Sequence, residues 1–393
     1  MERRKMFTKG ITLMRVLILG IDGYLGWPTA MHLSKHGHEI MGIDNFMKHA
    51  IEQEVGTSPL YPVHTMQRRI IKWKEITGKE ITFAAVDIAR QRQQLYKEID
   101  KFKPDAIVHY AEQPSAPYSM IGAQQAVDTQ INNVAGTMNL IFALLHHDKD
   151  VHIVKLGTMG EYGTPNIDIE EGWLDVIHNG RTDRVLYPKK PGSWYHASKV
   201  HDSHNLELST RLFKLRVTDL NQGIVYGVGT EDTWLDPVLR TSFHYDDIFG
   251  TVINRFVCQA ACREPLTIYG GGSQTRGYIN IRDTVECIRI AIDNPGDPGD
   301  FRVYNQFTEQ WSISELASII GTLFKADSIH IANPRIEQED HYYNAKHTAL
   351  EDLGLIPNLL NDDVLKEMHA MAVIYRKNIY IDKLLPSVKW NSR

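Results

Sequence analysis

Tyr195 and Lys199 stand one helical turn apart in Tyr195-His196-Ala197-Ser198-Lys199, so on a helix both side chains project from one face. An ammonium beside a phenol favours the phenolate and lowers its pKa from about 10, giving a base usable near neutral pH. Thr158 closes Leu156-Gly157-Thr158 at the carboxyl end of a predicted strand, the edge where ligands of open α/β sheets bind. Its hydroxyl can share a substrate proton with that phenolate. A second group of residues suits a dinucleotide. Gly20, Gly23 and Gly26 lie at Gly-x-x-Gly-x-x-Gly spacing between a strand-like run and a helical pattern. There the first glycine makes the turn, the second admits a pyrophosphate and the third allows close helix packing. The helix N-terminus then offers free N–H donors to the phosphates. Asp44 closes the next predicted strand, where a carboxylate accepts both ribose hydroxyls and repels a 2′-phosphate, so the cofactor expected is NAD and not NADP. Asp87, at the end of the third strand, is an adenine-side candidate, although such residues also serve as turn caps.

Positioning these groups requires strands alternating with helices. Short aliphatic runs at 16–19, 39–43, 81–86, 106–109, 152–156 and 217–221 read as strands, and 65–77, 123–146, 195–213 and 253–263 as helices. That alternation predicts an α/β fold: a Rossmann-type doubly wound parallel sheet with a smaller C-terminal α/β substrate lobe. Residues 1–13 read as a disordered extension or an alternative start ahead of Met14. The NAD-binding domain is placed at 14–224, with an insertion at 46–80, and the substrate lobe mainly at 225–393, with part of 270–305 returning to the first domain.

A chain of 393 residues with 23% charged and 42% hydrophobic residues is neither disordered nor fibrous. Its net charge of −5 argues against a nucleic-acid partner held by a broad basic surface. No apolar run approaches the roughly 18 residues of a membrane span, and the basic start lacks a signal-peptide core. Three cysteines form no disulfide framework and suit a reducing cytoplasm. His201 and His204 lack further ligands at metal-site spacing, so no metal is expected; Cys258 and Cys262 read as small core residues.

The glycine turn, strand-end threonine and Tyr-x-x-x-Lys, in this order, resemble the extended short-chain dehydrogenase/reductase superfamily of nucleotide-sugar enzymes, with its NAD-dependent epimerase/dehydratase family. Longer strings narrow the match. SAPYSMI (115–121), VKLGTMGEYGTPNIDIEEG (154–172), SKVHDSHN (198–205), DLNQG (219–223) and HYYNAKHT (341–348) are similar to the UDP-sulfoquinovose synthase family over nearly the whole chain from position 14. The resemblance implies conversion of UDP-glucose and sulfite to UDP-sulfoquinovose with a retained NAD: oxidation at C4, loss of water across C5 and C6, sulfite addition at C6 and re-reduction at C4. It implies cofactor contacts at Gly20, Gly23, Tyr24, Leu25, Gly26, Asp44, Asn45, Asp87, Ile88, Asn133, Tyr195 and Lys199. Substrate contacts are implied at Thr158, Tyr195, His196, Asn221, Gln222, Thr251, Asn254, Leu266, Thr267 and Tyr269, with Arg276 and Arg335 suited to a diphosphate. Stretches 131–145 and 195–213 are implied to pair in a homodimer, and sulfite to arrive free or from a donor protein.

Two departures stand out. Related 4,6-dehydratases carry an Asp-Glu acid/base pair directly after the threonine, where this chain has Met159 and Gly160, so Glu161 and His196 become the nearest acid/base candidates. Plant-type members carry an arginine where this chain has Pro114. The rival readings are a UDP-sugar 4-epimerase or 4,6-dehydratase and, from another class, a non-catalytic NAD-binding regulator.

Overall fold

The structure is a computed structural model and describes residues 7–8, 11–147, 150–335 and 342–390. Seven strands, β1 (Arg15–Leu19), β2 (Glu39–Asp44), β3 (Ile81–Ala85), β4 (Ala106–His109), β5 (His152–Thr158), β6 (Arg216–Gln222) and β7 (Phe301–Gln306), form one parallel sheet in the order β3-β2-β1-β4-β5-β6-β7. β1 shows why this sheet needs layers on both faces. Val16 and Ile18 join one apolar cluster while Leu17 and Leu19 join another on the opposite face, each fully buried. Helices α1 (Gly26–Lys35), α2 (Met47–Val55), α3 (Met66–Thr77), α4 (Arg92–Phe102), α5 (Gly136–His147), α6 (Trp194–Phe213), α7 (Val252–Cys262) and α8 (Ile281–Asp293) complete the main framework. α1, α3 and α8 contribute to the first cluster, and α4, α5 and α6 to the second.

The doubly wound sheet expected from the alternation is therefore present. Of the extension at 1–13, Phe7–Thr8 pairs antiparallel with Ile11–Thr12, and residues 1–6, 9 and 10 lie outside the described residues, as does His341 of the 341–348 motif. Within 46–80, α2 and α3 are joined by a stretch whose Leu60 and Tyr61 enter the core of the lobe. That core is built on α7, on Ile224–Tyr226 beside Thr275–Asn280 and on Leu266–Tyr269 beside Ser328–Ile331. The last main-sheet strand, β7, comes from the later part of the chain and pairs with β6. Among the described residues no helix is long and apolar enough to cross a membrane.

The helical stretches expected over 123–146 are joined by a π-helical turn, Ile131–Ala135, that brings Asn132 to the cleft described below. A further hairpin, Trp173–His178 with Arg181–Leu186, sits at the β7 edge of the sheet, where Trp173 Nε1 donates to the Phe301 carbonyl at 3.4 Å, and its turn holds Asn179 and Gly180 both at positive φ.

The glycine turn sets how closely α1 sits on the sheet. A Cβ at Gly26 would lie 2.1 Å from the Gly20 carbonyl oxygen, and one at Gly20 2.7 Å from the Tyr110 carbonyl carbon. Gly26→Ala is expected to cost about 1–3 kcal/mol through overpacking. Gly192, where a Cβ meets nothing within 4 Å, is the control position. Thermal unfolding of Gly26→Ala and Gly192→Ala should show a lowered Tm in the first alone.

Candidate active site

A cleft of about 440 Å³ opens between the carboxyl edge of the sheet and the lobe. Its nucleotide half is the β1–α1 turn. Gly20 adopts φ 86°, which suits glycine, and a Cβ at Gly23 would meet only the Gly20 carbonyl oxygen, at 3.3 Å, so the backbone stays open to an approaching phosphate. α1 starts without a side-chain cap, and since Trp27 N–H goes to the Gly23 carbonyl at 3.5 Å and Pro28 has no N–H, the donors left for a phosphate are those of the cleft-lining Leu25 and Gly26. Asp44 ends β2 with one oxygen accepting from Phe46 N–H (2.8 Å) and the other from Asp22 N–H (2.9 Å). Each oxygen keeps a second lone pair for a ribose hydroxyl. Burial, and then the charge of Asp22, push the Asp44 carboxyl up to about 6.

Asp22 sits inside the phosphate turn, where a bare carboxylate would repel the ligand. It is offset by the fully buried Arg69 and by His49, whose Nε2 lies 2.6 Å from Asp22 Oδ2. Hydrogen bonds to Asp22 and Glu52 raise the His49 pKa to about 10. The turn thus fits a dinucleotide: an open glycine cradle, a helix N-terminus, a ribose carboxylate and a neutralised acid.

The other half gathers Thr158, Tyr195 and His196. Thr158 is the last residue of β5, and its Oγ1 accepts from Gly160 N–H at 3.1 Å. α6 begins at Trp194 because Ser193 caps it, its Oγ accepting from His196 N–H at 3.2 Å. The same hydroxyl lies 3.1 Å from His196 Nδ1 and so orients the ring as well. Burial, then Arg335 and Arg276, lower the imidazole pKa to about 4. A Cβ at Gly160 would fall 2.3 Å from His196 Nε2, so the imidazole fills the room that a side chain at 160 would need.

Of the residues singled out from sequence, Gly20, Gly23, Tyr24, Leu25, Gly26, Asp44, Asn45, Ile88, Thr158, Tyr195, His196, Gln222, Thr251, Asn254, Tyr269, Arg276 and Arg335 line the cleft. Seven do not, each for a local reason. Asp87 caps its own turn, accepting from Ala89 and Arg90 N–H at 2.9 Å. Asn133 is turned inward, accepting from Gln113 N–H (2.8 Å) and donating to Ser198 Oγ (2.8 Å). Asn221 donates to the buried Tyr162 hydroxyl at 2.7 Å. Leu266 belongs to the lobe core, and Thr267 Oγ1 accepts from Gln259 at 2.9 Å.

Lys199 and Glu161 lie beneath the cleft surface, each already paired. Lys199 lies beneath Tyr195, donating to the Leu156 carbonyl at 2.6 Å and paired with Glu112 at 2.6 Å. The lowered phenol expected from an adjacent lysine is absent in this state. Burial, then Glu112 and Glu161, hold Tyr195 above its ordinary value against the pull of Lys155. Glu161 is fully buried, with Lys155 3.3 Å away and Lys189 against its other oxygen, and it closes a capping box with Thr158. Burial alone would raise this carboxyl, but Lys155 and Lys189 outweigh it and hold it down at about 2. A carboxylate so committed is poorly suited to pass protons.

Several lining residues escaped the sequence reading. Arg255 donates to the Tyr269 hydroxyl at 2.7 Å and stacks on its ring at 4.2 Å, one residue after the singled-out Asn254. Lys48 and His244 come from the insertion and the lobe, and Trp390, under Arg335, from the chain end. No local spacing signals them. Glu112, just past β4, could have been found as a polar residue at a strand's carboxyl end.

The chain belongs to the NAD dependent epimerase/dehydratase family, whose model matches residues 16–305. Its fold is also that of a UDP-glucuronic acid 4-epimerase from Bacillus cereus, solved with UDP-glucuronic acid and NAD. That structure has a TM-score of 0.66 and 19% identity, over 91% of this chain and 99% of that one. Within the family, the chain groups with the UDP-sulfoquinovose synthases. The chloroplastic enzyme of Spinacia oleracea is 49% identical over 96% of this chain and 79% of its own length. The synthase of Sulfolobus acidocaldarius is 42% identical over 96% of this chain and 98% of its own.

Glu161→Gln would leave two buried ammoniums under-compensated, at a cost of about 3–5 kcal/mol. Because the folded carboxyl sits below its ordinary value of 4.5, its contribution is complete above that value and disappears as pH falls through about 2. Denaturant unfolding between pH 7 and 2 should show this loss in the unmodified protein. In the variant the same dependence should be shallower.

Proposed function

We propose that this chain makes UDP-sulfoquinovose from UDP-glucose and sulfite. The observation that carries the reading is 49% identity to a UDP-sulfoquinovose synthase along 96% of the chain. The site chemistry supports it. Replacing the C6 hydroxyl of glucose by sulfonate is difficult directly, since hydroxide leaves poorly. A carbonyl at C4 makes the C5 proton acidic, so that C5–H and the C6 hydroxyl can depart together as water. The sulfur lone pair of sulfite then adds at C6 of the enone, a proton returns to C5, and C4 is reduced again. NAD, held by the β1–α1 turn and Asp44, supplies reversible hydride acceptance at C4.

Tyr195 takes the C4 hydroxyl proton and later gives it back, and Thr158 holds the same oxygen. His196, kept uncharged down to about pH 4 and fixed by Ser193, serves as the acid/base for the elimination, in the space a carboxylate at 160 would occupy. Arg276 and Arg335 hold the diphosphate or receive the sulfite anion. Gln222, Thr251, Asn254 and Tyr269 complete the substrate wall. We further assign a homodimer, supported by exposed Val127, Ile131 and Phe142 beside Leu208 and Leu212 of α6, and a cytoplasmic location, supported by three unpaired cysteines.

Incubation of the purified protein with UDP-glucose and free sulfite should yield a sulfonated sugar nucleotide by mass spectrometry. Tyr195→Phe should lower its rate by two or more orders of magnitude, about 3 kcal/mol of lost transition-state stabilisation. Sulfite-independent turnover would instead indicate an epimerase or dehydratase. Product formed only when a second protein is added would indicate delivered sulfite. Full cellular function of Tyr195→Phe would indicate a non-catalytic regulator.

A further inference from the structure

The cation expected to activate Tyr195 is already paired. Lys199 Nζ lies 2.6 Å from Glu112 Oε2 but 5.7 Å from the centre of the Tyr195 ring. The Glu112 and Lys199 side chains are 2% and 3% exposed, so water screens their attraction poorly. The charged groups facing this pair come from every element around it. β4 brings His109, whose Nε2 is 4.0 Å from Glu112 Oε1 and which burial, then Lys199 and Lys155, hold neutral with a pKa of about 3. β5 and the turn after it bring Lys155 and Glu161, the loop before α6 brings Lys189, α6 brings Asp202 and the neutral His196, and β6 brings Asp219.

Four carboxylates thus face three ammoniums. Burial, then Glu112, raises Asp202 far above its ordinary value, which lessens the excess of acid in the cluster. Of these seven groups, Glu112 is the one that also lines the cleft, and its Oε1 accepts no hydrogen bond among the described residues.

We propose that Glu112 is a positioning residue for the proton chemistry, pairing with Lys199 so that the ammonium's field on Tyr195 is partly cancelled. The inference rests on the assignment of Tyr195 above. Tyr195 has two opposite duties: as C4–H leaves with its electron pair, the phenolate takes the O4 proton, and when C4 is reduced the phenol returns that proton to O4. An unopposed lysine would favour the first duty and handicap the second. A carboxylate on that lysine keeps the phenol able to do both.

The test uses the purified protein loaded with NAD. The ultraviolet tyrosinate signal of Tyr195 is isolated as the difference from Tyr195→Phe, in otherwise unmodified, Glu112→Gln and Glu112→Asp backgrounds. The expected result is a titration midpoint for Tyr195 that falls by about one pH unit or more in Glu112→Gln, a tenfold change in proton concentration. The acid limb of the kcat profile should move with it, and Glu112→Asp should keep most of the original behaviour. An unmoved midpoint and an unmoved acid limb in Glu112→Gln, whatever the fall in rate, overturn the proposal. If Glu112→Gln does not fold, Glu112→Ser, which also removes the carboxylate, takes its place, and an unmoved midpoint and acid limb in that variant overturn the proposal as well. The phenol titration involves neither sulfite nor sugar turnover, so it stands apart from a failure of the sulfite reaction.

Discussion

The ammonium of Lys155 sits where β5, β6, α6 and the turn after β5 meet, with no solvent to support it. Its partners are Glu161 at 3.3 Å, Asp219 at 3.2 Å, Ser203 at 3.0 Å and the Lys199 carbonyl at 3.3 Å. Removing such an ion from water costs several kcal/mol unless its partners are fixed, so the site holds only if four separate pieces of chain arrive in register. Parallel pairing of β5 with β6 aligns Lys155 with Asp219, and α6 is pinned above both. Thr158 and Tyr195 inherit their places from that register. The chemistry at the cleft floor is in this sense built on an electrostatic joint and not on loop geometry.

The nucleotide half depends on a second joint. Asp22 in the glycine turn leads through His49 to Glu52, and Glu52 through His244 to Asp246, with contacts of 2.6, 3.0, 3.0 and 2.8 Å. Alternating acids and imidazoles connect the phosphate turn of one domain to a loop of the lobe. Asp246 in turn caps the N–H groups of Ile248 and Phe249, which line the cleft. The lobe is therefore tied to the nucleotide turn by charge as well as by the apolar core that Leu60 and Tyr61 extend into it.

What the sequence disclosed was what periodicity and turn chemistry control. Aliphatic runs such as 16–19 can only be strands covered on both sides, and glycines at 20, 23 and 26 between strand and helix have one efficient use. The Asn179-Gly180 hairpin was equally legible, and its dipeptide signal went unread. The groups that lie below the cleft surface share a different cause. Glu161, Lys199 and Asn133 are polar residues next to the right motifs, but their direction is decided by Lys189, Glu112 and Ser198, which no local pattern links to them. Arg255 and Trp390 reach the cleft through lobe packing, which a pattern of periods cannot report.

The contact between Gly160 and His196 has a consequence for how such a site changes over time. Because any side chain at 160 collides with the imidazole held by Ser193, the two positions are coupled: a carboxylate cannot enter at 160 while the ring stays where it is. Substitution at either position therefore constrains the other: any side chain at 160 requires the imidazole to be removed or turned away from Ser193 first, so the pair changes together or not at all.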